Sequence, residues 1–146
     1  MGVRSLLATV LASGAAFLFN RAASRGARPG PLLALVLGPG VEETAKTGFA
    51  LAMAAPVVVV HLGFGAVEAV YDASARLGPG GGPASLSARG LAAGAMSLLS
   101  HAAFGAVTQA VLALTLEPFL AVAAAVLVHA VWNLTIVALV GAGGRP

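Results

Sequence analysis

The chain has no cysteine, and charged residues make up only 9% of its 146 positions. The first absence excludes disulfides, zinc ribbons and thiol catalysis. The second, beside 59% hydrophobic residues and a mean hydropathy of +0.97, excludes an ordinary water-soluble domain, in which about 25% of residues are charged. The net charge is +3, but the arginines are spread over short connectors and form no patch, so no nucleic-acid surface is expected. What remains is a single integral-membrane domain over residues 1–146, an all-α polytopic helix bundle in a lipid bilayer.

Five spans are predicted. Ser5 to Asn20 is uncharged and bounded by Arg4 and Arg21, and a first helix over about 3–20 just crosses if both arginines snorkel. A cleaved signal peptide fits less well, because no clear small-x-small site ends the run and arginines follow at once. The second span runs from Pro31 to about Ala55, with Pro39-Gly40 expected to kink or unwind it just before Glu42 and Glu43. The third runs from Pro56 to about Leu77, and Gly78 to Pro83 reads as a flexible loop. Gly90 to Leu116 and Pro118 to Gly144 complete the set, giving a motif-bearing core over about 31–141. An N-out, C-in topology places Arg21, Arg25, Arg28, Arg76, Arg89 and Arg145 on the cytoplasmic side and only Arg4 outside. The expected location is therefore a multi-pass position in a prokaryotic cytoplasmic membrane.

Inside these spans stand Glu42, Glu43, Lys46, Glu68, His101, His129 and Asn133. Left unpaired in lipid, the four charged ones would cost roughly 10 to 14 kcal/mol together, so they must face one another or water. At 1.5 Å per residue, Glu42, Glu68, His101 and His129 each fall roughly 16 to 18 Å from the end of their span, close to the midplane. Helical spacing sets Glu42 above Lys46, Glu68 above Asp72 and His129 above Asn133. Glu43 is about 100° round from Glu42, so only one of the two can point at a cavity's centre. His61 is expected at the outer interface, and Asp72 in a helix-end pair with Arg76. Trp132 and Tyr71 are expected to pack or to line a substrate path.

The strings VEETAK (Val41 to Lys46), GFGAVEAVY (Gly63 to Tyr71), SHAAFG (Ser100 to Gly105) and HAVWN (His129 to Asn133) together resemble the PrsW branch of the superfamily of CAAX prenyl endopeptidases and CPBP intramembrane proteases. The four blocks follow the family's order over about residues 39 to 137. The resemblance implies hydrolysis of a peptide bond in a membrane-embedded or juxtamembrane protein or peptide. It implies a centre of paired glutamates and histidines, either zinc ligands or metal-free activators of water. Carried over, the paired glutamates are Glu42 and Glu43, with Lys46 as basic partner and Phe64 with Glu68 as the FxxxE block. The lone histidine is His101, and His129 with Asn133 forms the HxxxN block. Two departures stand out: Ala69 where asparagine is common, and Gly105 where threonine is common.

The chemistry also follows from the residue types. Amide hydrolysis needs an activated water, a stabilised oxyanion and a proton donor for the amine. Glu42 or Glu43 suits the base, His101 can help to hold the water, and His129 and Asn133 can donate to the oxyanion. With zinc, Glu43, His101 and His129 would meet the ligand count of a catalytic site with an open position. Two other classes stay open. Midplane acids and histidines beside a Pro-Gly break also suit a proton or divalent-cation transporter, and a non-catalytic scaffold could keep the same residues as structural ion pairs and interhelical hydrogen bonds.

Overall fold

The computed structural model describes residues 1–23, 33–75 and 88–143, among which there is no strand. Five α-helices follow in order: α1 (Val3–Ala23), α2 (Gly38–Ala52), α3 (Val57–Ala75), α4 (Ala88–Thr115) and α5 (Pro118–Gly143). Their ends agree with the predicted spans within a few residues, except at α2. There a π-helical turn, Leu33–Leu37, precedes the α-helix, so the irregularity falls before Pro39-Gly40 and not at it. Pro39 sits in the first turn of α2, where its missing N–H is no loss.

Burial runs opposite to that of a soluble protein. Leu6, Val10 and Leu18 of α1 and Leu127, Val131 and Leu134 of α5 face outward, whereas Glu43, Lys46, His61 and Thr108 are enclosed among small residues such as Ala8, Ala12, Ala121 and Ala125. Such an apolar exterior is stable only in a nonaqueous surrounding. Three helical stretches, Val3–Ala23, Gly90–Thr115 and Pro118–Leu139, are long and apolar enough to cross a membrane, and Val57–Tyr71 is a shorter apolar helix. The chain is thus a membrane protein. At 15 residues with three charged side chains, α2 is too short and polar to count among those spans, and it is packed against α1, α3 and α5. Its enclosed face, Glu42, Glu43, Lys46, Thr47 and Ala50, repeats with helical period.

Two tight turns close antiparallel pairs. After α2, Ala54 adopts φ +50° while its N–H reaches the Leu51 carbonyl at 3.1 Å and the Ala55 N–H reaches the Ala50 carbonyl at 2.8 Å. These two bonds form a Schellman motif, which satisfies carbonyls that lipid would leave bare. Between α4 and α5, Leu116 takes φ +59° and donates to the Leu112 carbonyl at 2.9 Å before Pro118 starts the next helix.

The most extensive helix contact joins α3 and α4, and glycines allow it. A Cβ on Gly65 would lie 2.8 Å from that of His101, and a Cβ on Gly105 would lie 2.7 Å from that of His61. Each histidine therefore occupies the space left by a glycine on the facing helix. A third contact, Gly63 of α3 against Thr9 of α1, brings those helices together near their beginnings.

The connectors bearing Arg25, Arg28, Arg76 and Arg145, the Gly78 to Pro83 loop and the side chains of Asp72 and Arg89 lie outside the described residues.

Candidate active site

One hydrogen-bonded chain of side chains crosses the bundle. Lys46 Nζ, fully enclosed, donates to Glu43 Oε1 at 2.5 Å and to His101 Nδ1 at 3.0 Å. Because an ammonium only donates, His101 Nδ1 accepts, and the ring's proton is on Nε2, which donates to Glu68 Oε2 at 2.5 Å. Ser97 Oγ donates to the same Glu68 oxygen at 2.9 Å. At the other end, His129 Nδ1–H donates to Glu43 Oε1 at 2.8 Å. Helices α2, α3, α4 and α5 are thereby joined through polar groups that lipid would otherwise penalise. The Lys46 ammonium also lies 4.5 Å from the centre of the Phe64 ring, a cation–π contact. Phe104 stacks on His129 at 4.5 Å and fixes that ring from its face.

The paired glutamates have different surroundings. Glu43 is fully enclosed: its Oε1 is bound by Lys46 and His129, and its Oε2 lies 3.5 Å from His61 Nδ1. Glu42 instead lines two cavities, as does Glu68. The first, about 400 Å³, opens between α1, α2 and α3; the second, about 440 Å³, is bordered by α4 and α5 and includes His101, His129, Trp132 and Asn133 in its lining. Glu42 Oε1 accepts a long hydrogen bond of 3.4 Å from Asn20 Nδ2, and its Oε2 has no partner among the described residues. That Oε2 is enclosed and lies 4.0 Å from His129 Nε2, a separation that a single water spans once the side chains open to admit it.

The arrangement brings the expected site residues near one another: Glu43, Lys46, Glu68, His101 and His129 touch through one network, Glu42 stands at its edge 4.0 Å from His129, and Asn133 lines the second cavity one turn beyond His129. Three expectations need correction. Lys46 pairs with Glu43, three residues before it, and not with Glu42. His61 is not interfacial but wholly enclosed, facing Glu43. The set Glu43, His101 and His129 is not the one whose donors converge; among the described residues that group is Glu42, Glu68 and His101, with ligand atoms within 4.8 Å of one another.

A metal fits this group only in part. Both His101 nitrogens are engaged, by Lys46 and by Glu68, and a dication would stand close to the Lys46 ammonium. Binding would first have to break the His101–Glu68 hydrogen bond.

Sequence reasoning missed His61, Asn20 and Ser97. Signals for two of them were present: Ser97 is four residues before His101, and His61 is seven before Glu68, so each shares a helical stripe with a chosen residue. Asn20 stands beside Arg21 and reads as a span boundary, yet it is the contact by which α1 reaches the site.

No family model matches this chain, and no curated protein or solved structure matches it.

Proposed function

We propose that the protein is a glutamate/histidine intramembrane peptidase, of the kind its motif order resembles in the PrsW branch, acting on a membrane-embedded or juxtamembrane peptide. The observation that carries this reading is the pair Glu42 Oε2 and His129 Nε2, 4.0 Å apart between two residues that line the same cavity, with His129 oriented from behind by Glu43. Because Glu43 accepts the Nδ1 proton, the neutral His129 ring presents Nε2 as an acceptor. A water between the two acceptors directs both its protons away from the substrate and its lone pair toward it.

In the proposed reaction the water oxygen bonds to the peptide carbonyl carbon while Glu42 takes a water proton. The Asn133 amide, one turn from His129, donates to the developing oxyanion. Collapse breaks the C–N bond, and the proton held by Glu42 passes to the leaving amine. Lys46 offsets the charge of the enclosed Glu43, so that His129 keeps its orientation in a dry interior. If zinc takes part, Glu42, Glu68 and His101 would hold it, and it would supply Lewis acidity to the carbonyl.

The topology we propose is five crossings, N-out and C-in, with the charges of α2 shielded by its neighbours. It rests on the arginine bias of the connectors. The absence of cysteine makes it testable by labelling single introduced cysteines from either side.

A second reading, a proton or divalent-cation pathway, draws on the position of Glu42 and Glu68 in the walls of both cavities. The deciding experiment reconstitutes purified protein with fluorogenic transmembrane peptides and, separately, in ion-loaded liposomes. Cleavage that Glu42→Gln abolishes supports the peptidase. Ion flux that Glu42→Gln abolishes, without any cleavage, supports the transporter.

A further inference from the structure

Helices α1 and α3 touch at Thr9 and Gly63, and a cavity lies beside the residues that follow on both. Its apolar wall is Ala16, Phe17, Phe64 and Val67. Arg21 also lines it, and among the described residues no other lysine or arginine lines either cavity. Both cavities are lined by the same two carboxylates, Glu42 and Glu68, so an occupant that spans the two passes the proposed reacting centre.

A peptide bond inside a helix presents neither face of its carbonyl to a water, and its backbone groups are already paired. To react it must be extended, and an extended segment in lipid needs partners for its freed N–H and C=O groups. The α1–α3 cavity is lined by hydroxyl, amide and carboxylate side chains that can partner such groups, Ser13, Asn20 and Glu42. Asn20, adjacent to Arg21, already touches Glu42. At roughly 3.3 Å per extended residue, a side chain about two to four residues from a bond held over Glu42 falls within reach of Arg21. The guanidinium offers a forked donor that a carboxylate matches and an apolar or basic side chain does not.

We infer that the α1–α3 cavity is a substrate subsite that takes an extended, apolar peptide segment bearing an acidic side chain, with that carboxylate on Arg21 and the chain continuing past Glu42 and Glu68 into the α4–α5 cavity. This inference rests on the peptidase reading, because it is that reading which places a peptide in the two cavities. It makes Arg21 a specificity residue and predicts that acidic side chains on one flank of the cleaved bond are favoured.

The test uses the full chain in nanodiscs, with Glu42→Gln as the background so that binding is measured without turnover. Fluorescent transmembrane peptides carry aspartate, asparagine or lysine at each of the four positions on either side of a central Gly-Ala pair. The aspartate peptide is expected to bind about threefold to tenfold more tightly than the asparagine one at one or two of those positions. Arg21→Glu should reverse the order so that lysine binds best, and Arg21→Lys should keep it. An unchanged ranking in Arg21→Glu, or no ranking in the parent, overturns the subsite. So does a result in which Arg21→Glu abolishes binding of anionic lipid but not of peptide, which would assign Arg21 to a headgroup. Charge-selective binding with no cleavage in the parent that retains Glu42 would keep the subsite and overturn the peptidase.

Discussion

His61 on α3 fills the space where Gly105 on α4 has no side chain, and His101 on α4 fills the matching space at Gly65 on α3. The two contacts share one antiparallel register, since 61 and 105 have the same sum as 65 and 101. They bring two imidazoles into the bundle from opposite walls, one facing Glu43 and the other Glu68. Gly105 departs from the threonine common at this point in the family that the motifs resemble, and the departure has a physical reason here: a larger residue would strike His61. Adding a methyl group at either glycine forces the helices apart, at a cost of about 1–3 kcal/mol. Gly105→Ala and Gly65→Ala should therefore both lower unfolding stability in detergent. Gly65→Ala should in addition weaken His101 against Glu68 and reduce cleavage more steeply than Gly105→Ala. Equal loss of activity in both variants would mean that the His101 contact has no special role.

The two adjacent glutamates should separate cleanly by mutation. Glu42 lines both cavities and its Oε2 has no hydrogen-bond partner among the described residues, so Glu42→Gln removes the proposed reacting group and little structure. Cleavage should fall by about 10²-fold to 10⁴-fold with the unfolding midpoint nearly unchanged. Glu43→Gln leaves the enclosed Lys46 ammonium without its counter-charge, which should cost about 3–5 kcal/mol. Measuring stability and turnover on the same preparations distinguishes the two; a Glu42→Gln protein as destabilised as Glu43→Gln would contradict this division.

Much of this architecture is legible in the residue order, for a thermodynamic reason. An acid or imidazole within an apolar run must find a partner, and partners at similar depth on neighbouring helices are the natural solution, so Glu42, Glu68, His101 and His129 could be brought together before any coordinates. The finer pairings are not legible. Lys46 can reach a carboxylate three or four residues earlier, and the choice of Glu43 over Glu42 is made by His101 and His129 on other helices. Which glutamate faces a cavity depends in the same way on what packs beside it. His61 escaped because it belongs to no motif, although its seven-residue offset from Glu68 puts it on the same stripe. The π-helical turn before α2 has no clear signal, since Pro39-Gly40 suggests a break one turn later.

Zinc titration offers a direct comparison of donor sets. If the ion is held by the three groups that converge, Glu42, Glu68 and His101, then Glu68→Gln should weaken its binding by more than about tenfold while His129→Gln leaves it nearly unchanged. Loss of binding in His129→Gln with retention in Glu68→Gln would favour the set expected from sequence, Glu43, His101 and His129. Calorimetry on folded protein reads both outcomes without reference to activity.

The two turns offer stabilisation away from the site. Ala54 and Leu116 hold left-handed backbone, at φ +50° and +59°, which costs a residue with a Cβ about 1–2 kcal/mol. Glycine adopts that conformation freely but loses more chain entropy on folding, an offset of roughly 0.5–1 kcal/mol. Ala54→Gly and Leu116→Gly should each therefore stabilise the bundle by about 0.5–1 kcal/mol, read as a raised unfolding midpoint in mixed micelles. Leu116 is largely exposed, so its side chain is lost with little packing penalty. Ala54→Val should move the midpoint the other way, because a β-branched residue is poorly accommodated at positive φ. If glycine lowered the midpoint at Ala54 and valine raised it, the Schellman closure that joins α2 to α3 could not be the conformation in the membrane. The height at which α2 presents Glu42 to His129 would then have to be set by some other contact.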